Sequence, residues 1–209
     1  MEELPTGRSK VMTALRSLLL GLCIIIVGCS SDSADGDYDE GEIIEMRQEK
    51  DAQFRDSEES PIPAEKRTSF TGLSYFEPDP EYVVMATFVE SASTDTIILQ
   101  TSKDDLRKAF RAGTFTFRLN GKDLKLSAYT FADSEDNESL FVPFTDRTTG
   151  HETYYGGRYM DVPVVDIDDY VLDFNMAYNP YCAYNERYSC PLVPKENDLS
   201  IAVRAGEKK

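Results

Sequence analysis

The chain has 209 residues, of which 41% are hydrophobic, and carries 38 acidic against 22 basic side chains for a formal charge of −16. That length and apolar content suit one domain with a substantial core. Without a basic stripe to displace counterions, such a surface is a poor partner for phosphate backbones or anionic headgroups, so nucleic-acid binding is excluded.

At the N-terminus, Arg8, Lys10 and Arg16 precede an apolar run over residues 18–27 that is short for a bilayer span, so residues 1–28 read as a secretory signal. Ile26-Val27-Gly28-Cys29 resembles the bacterial lipobox, which implies lipid transfer to Cys29, cleavage after Gly28 and a membrane anchor at the new N-terminus. A lone transmembrane anchor is the alternative for this run. Met12 is also a sufficient start. Cleavage leaves 19 basic against 36 acidic residues, so the acidity persists. Ser30, directly after Cys29, resembles lipoproteins sorted to the outer membrane, which places the expected location in the cell envelope. Residues 29–42, rich in Ser, Asp, Gly and Glu, lack apolar side chains to bury and read as a disordered acidic tether before a single globular domain over residues 43–209.

Ile43, Ile44, Met46 and Phe54 among good helix formers predict an amphipathic helix over residues 43–55. Strands are expected at 82–88 and 96–101. Ser102 and Asp105 make a capping-box pattern, and with Leu106, Phe110 and Gly113 they predict a short helix over residues 102–113, a strand being the alternative. Asn120-Gly121 is a type I′ hairpin signal that pairs Leu119 with Lys122, Phe117 with Leu124 and Phe115 with Leu126. Further strands are expected at 140–144, where Pro143 suggests an edge or a strand end, and at 153–160, 170–174 and 199–203. The fold class is therefore mainly β: an antiparallel barrel or sandwich with one N-terminal amphipathic helix and a long Tyr/Asn-rich loop.

Several stretches carry a resemblance: Phe70-Thr71-Gly72-Leu73-Ser74-Tyr75-Phe76, Leu140-Phe141-Val142-Pro143-Phe144-Thr145-Asp146, and Gly150-His151-Glu152-Thr153-Tyr154-Tyr155-Gly156-Gly157-Arg158-Tyr159. With Asp173-Phe174-Asn175-Met176-Ala177-Tyr178-Asn179-Pro180-Tyr181-Cys182, Cys190-Pro191 and Glu196-Asn197, they are similar to the bacterial and archaeal domain-of-unknown-function family 1684, from about Ser60 to the C-terminus. Val193, where the family tends to have proline, is a departure. The family name brings no chemistry with it.

The candidate site lies in the same region. Gly156-Gly157 could bring backbone close to a ligand, and Arg158 offers a planar fork for a carboxylate or phosphate. A bulged strand with Arg158 paired to Asp173 or Asp146 is the alternative. Tyr159, Asp173, Asn175, Tyr178, Asn179, Tyr184, Asn185, Glu196 and Asn197 suit a small polar ligand such as a sugar. They suit equally the backbone needs of one long buried loop. Cys182 and Cys190 read as a disulfide in an oxidising compartment, closing seven intervening residues for about 2–3 kcal/mol. Metal ligation with His151 or Glu196, a thiolate nucleophile with His151 as base, and two ordinary free thiols are the other readings of these cysteines. A membrane-tethered module binding a small polar ligand is thus the leading functional expectation, and an extracytoplasmic hydrolase the alternative. No cofactor or metal is called for. The expected partners are a membrane through the N-terminal lipid and a small molecule, with the chain a monomer.

Overall fold

The computed structural model describes residues 38–93, 95–132, 138–165 and 169–209. The expected signal, the lipobox with Cys29 and most of the tether lie outside these residues. Among the described residues no helix is long and apolar enough to cross a membrane.

The first element is α1 (Glu40–Asp56), which begins inside the stretch read as tether because the Asp39 carboxylate accepts from Gly41 N at 2.8 Å and Glu42 N at 3.1 Å. Its amphipathicity is thin: Ile43 and Phe54 are buried, but Ile44 is 40% exposed. Polar hooks hold it instead. Arg47 donates to the carbonyls of Phe76 (2.9 Å) and Asn175 (3.2 Å), and Asp51 accepts from Leu73 N at 2.9 Å. A short α2 (Ala64–Arg67) follows.

The strands are β1 (Val83–Glu90), β2 (Thr96–Gln100), β3 (Leu106–Leu119), β4 (Lys122–Phe131), β5 (Ser139–Phe144), β6 (Arg158–Pro163) and β7 (Asp169–Asp173). They form one antiparallel sheet in the order β6-β5-β4-β3-β1-β7, with β2 on the outer half of β3, curled into a half-barrel. The β3–β4 hairpin has the expected register, and Asn120 (φ 51°) and Gly121 (φ 72°) supply the two positive φ values of a type I′ turn.

Residues 102–113 are not helical. Asp105 accepts from the Thr101 and Ser189 hydroxyls within a β2–β3 turn, so the apparent cap belongs to a hairpin, and Leu106 to Phe110 pair with β2. Gly113 sits at a bulge in β3, where an added Cβ would lie 2.5 Å from the Val89 carbonyl oxygen, so it permits the close approach of β1. Residues 199–203 form no strand either. Leu199, Ile201 and Val203 are buried alternately, and the segment docks through Leu199 N to Thr145 O (2.8 Å) and Arg147 N to Ile201 O (2.9 Å). The expected strand at 153–160 starts only at Arg158, because residues 148–153 close on themselves in turns. Pro143 is tolerated near the end of β5, opposite Tyr159 of β6.

The core fills the concave face with Phe115, Phe117, Leu126, Val142, Phe144 and Leu172, capped by Phe174 and the tail residues Leu199 and Val203.

Candidate functional site

Alternation along the strands sends every second side chain to the face opposite the core. On β5 Leu140 and Val142 point into the core while Phe141 points away, and on β6 Met160 points in while Tyr159 points away. Phe131, Phe141 and Tyr159 thus form an aromatic floor, with ring centroids 5.0 and 4.7 Å apart. Above it α1 contributes Met46, Lys50 and Phe54, and the C-terminal segment contributes Tyr178, Tyr181 and residues 188–191. These border an open cavity of about 820 Å³ lined by seven aromatic rings together with Arg107 and Asp161. That volume and lining suit a small molecule with a flat apolar body.

The polar groups of this cavity are engaged. Tyr178 donates its hydroxyl to Asp161 Oδ2 at 2.6 Å, and burial, with Asp161 adding to it, pushes the phenol well above its ordinary range. Lys50 pairs with Glu207 at 2.6 Å and lies 4.9 Å over the Tyr178 ring. The Arg107 guanidinium stacks 3.7 Å over Phe131. Cation–π and ion-pair contacts therefore fix the charged groups on the aromatic walls.

Of the residues expected from sequence to bind a ligand, Tyr159 and Tyr178 line this cavity. Most of the others are fastened to the fold. Arg158, 1% exposed, pairs with Asp146 at 3.0 Å, not with Asp173, and donates to the Val203 carbonyl at 2.8 Å and to that of Ala205. Gly157 (φ 87°) lets the chain approach the Phe144 carbonyl, 2.7 Å from where a Cβ would stand, so the glycine serves packing against backbone. Asp173 accepts from Asn175 N and Nδ2, both at 2.8 Å, and burial raises its pKa. Asn175 exchanges hydrogen bonds with the Asp79 backbone at 2.9 and 3.0 Å, and the residue also borders a smaller pocket under α1. Asn179 Nδ2 donates to Lys208 O, and Asn185 Nδ2 to Pro61 O. Tyr184 donates its hydroxyl to Glu207, and both Tyr184 and Asn185 border a separate surface cleft beside Cys182. Glu196 pairs with Arg111 and accepts from the Tyr129 hydroxyl at 3.0 Å. Asn197, fully buried, ties Ser127 N and O (both 2.8 Å) to Pro143 O (2.6 Å). These contacts go partly to backbone amides and carbonyls and partly to the side chains of Asp146, Arg111, Tyr129 and Glu207.

Cys182 and Cys190 are neighbouring free thiols. Neither His151, exposed in the turn after Asp146, nor Glu196 lines the cavity or the cleft, and among the described residues no three acidic, cysteine or histidine side chains gather to hold a metal. Sequence reading missed Lys50, Phe54, Arg107, Phe131, Phe141, Asp161 and Tyr188 as cavity residues. One signal was present: residues 140–144 are apolar throughout, as in a strand buried on both faces.

A family model described as a protein of unknown function (DUF1684) matches residues 68–208. The chain belongs to the DUF1684 family. A solution NMR structure of an uncharacterised protein from Haloarcula marismortui is 43% identical, with a TM-score of 0.65, covering 81% of this chain and 94% of that one. No curated protein matches. The DUF1684 match begins after α1, so the helix roofing the cavity lies N-terminal to the residues matched by the family model.

Proposed function

We propose that this DUF1684 protein is a membrane-tethered binding module for a small amphipathic molecule, a flat apolar body with polar substituents, held in the cavity between α1 and the convex face of the sheet. The observation that carries the reading is the convergence of seven aromatic rings on about 820 Å³, with Lys50, Arg107 and Asp161 placed among them. Binding alone needs no nucleophile or base.

The test is a titration with 8-anilinonaphthalene-1-sulfonate, an aromatic sulfonate, followed by its fluorescence and by the ring NMR signals of Phe141 and Tyr159. Saturable one-to-one binding is expected, with both rings shifting. Gln53, an exposed α1 residue at the cavity mouth, should block access when replaced by tryptophan, weakening binding by at least about tenfold. Equal affinity in Gln53→Trp, or binding that never saturates, sinks the proposal.

The tether rests on the lipobox-like Ile26-Val27-Gly28-Cys29 behind its apolar run, which would place the domain in the cell envelope at the outer membrane. Cys29→Ser should move the protein from the membrane pellet to the soluble fraction. Retention in the pellet rules out anchoring through Cys29.

A further inference from the structure

The segment over residues 181–190 brings two sulfurs together between two openings. Cys182, half-buried, lines a surface cleft of about 530 Å³ with Tyr154, Tyr155 and Lys66, whereas Cys190 lines the aromatic cavity. The Cys190 sulfur reaches the backbone of Cys182 itself. The Cys182 amide donates to Cys190 Sγ at 3.2 Å, and the Cys190 amide donates to Ser102 Oγ at 3.2 Å, so the backbone holds both residues in place. The Tyr154 hydroxyl lies 3.8 Å from Cys182 Sγ as a further donor.

The two thiols are not equivalent. Cys190 is 7% exposed, and a thiolate there would lose its water, while Cys182 faces the cleft. Interaction with the Cys190 thiol, helped by Tyr154 and Ser102, lowers Cys182 to about 6, and the same interaction, with burial, pushes Cys190 up. The amide on Cys190 Sγ pulls the other way. Burial of Cys190 and the water-facing position of Cys182 leave the charge on Cys182.

We propose that Cys182 and Cys190 form a redox-active dithiol, Cys182 the attacking thiolate and Cys190 the resolving thiol, which a hydroperoxide converts reversibly to a disulfide. The Cys182 sulfur attacks one peroxide oxygen, so that an S–O bond forms, the O–O bond breaks, and hydroxide leaves to take a proton from solvent. The Cys190 sulfur then attacks the Cys182 sulfenic acid, so that the S–S bond forms, the S–O bond breaks, and the departing hydroxide carries off the Cys190 proton as water. The sulfurs lose two electrons together, and hydrogen peroxide becomes two waters. An external dithiol reverses the oxidation. Unlike a permanent structural brace, this pair would open and close with the peroxide and dithiol around it.

The reduced full-length chain, treated with limiting hydrogen peroxide and mapped by peptide mass spectrometry after alkylation, tests the proposal. The expected result is an intramolecular Cys182–Cys190 disulfide that dithiothreitol reopens in the folded protein. With dimedone present the label should fall on Cys182 in the wild type and accumulate there in Cys190→Ser, and the peroxide reaction should be lost in Cys182→Ser. The wild-type labelling decides the order of attack even where a variant fails to fold. Thiols no more reactive than free cysteine, dimedone on Cys190 in place of Cys182, or a disulfide that dithiothreitol leaves closed would each overturn it.

Discussion

Arg158→Met should lower the stability of the domain by about 3–5 kcal/mol, read as a fall in the denaturant midpoint with its slope unchanged. Methionine fills much of the volume but carries no donors. The carboxylate left behind, Asp146, is buried: its Oδ2 takes Arg158 at 3.0 Å and Val203 N at 2.8 Å, and its Oδ1 takes Thr148 N at 2.8 Å. The carbonyls of Val203 and Ala205 would lose the same guanidinium, and with them the tail over residues 199–207 loses its hold on β5 and β6. Burial draws the Arg158 pKa down, and Asp146 opposes that pull, so the pair is maintained by its geometry. Arg158→Lys should recover only part of the loss, because one ammonium cannot serve acceptors spread across a planar fork. An unchanged midpoint in Arg158→Met would show that the tail packs without this latch.

Glu207→Leu should cost about 3 kcal/mol, and the loss should appear first in α1. Glu207 is 1% exposed and accepts from Lys50 at 2.6 Å, from Asn179 N at 2.9 Å and from the Tyr184 hydroxyl. Lys50 is the only one of these on α1, and with Arg47 and Asp51 it makes up the polar hooks that compensate for the helix's narrow apolar stripe. Amide exchange over residues 43–55 should therefore accelerate more than exchange in β3 and β4. Equal acceleration in helix and sheet would mean that Glu207 supports the fold as a whole and not the docking of the helix.

The local elements were legible where one short stretch carries both the hydrophobic period and the turn chemistry. Asn120-Gly121 with alternating apolar residues on both sides determined its hairpin to the residue, because the turn needs positive φ and the two-residue period then sets which side chains face each other. Residues 102–113 misled for the same kind of reason: a capping pattern is local, but Asp105 takes the hydroxyl of Ser189, 84 positions away, and β2 supplies the pairing. The polar richness of residues 173–197 was visible in the sequence, which left open whether it serves a ligand or the backbone of the loop. A segment with little strand pairing must satisfy its backbone through side chains, so Asn175, Asn179 and Asn197 turn toward carbonyls and amides brought near by the fold. The cavity is the extreme case. Lys50, Arg107, Phe131, Phe141, Tyr159 and Tyr178 come from α1, four strands and the C-terminal segment, and alternation alone says that Phe141 leaves the core without saying what covers it. Composition and period determined a β-rich domain and its central hairpin, and only the tertiary structure decided which polar side chains hold the chain together and which surround open space, because that depends on partners distant in sequence.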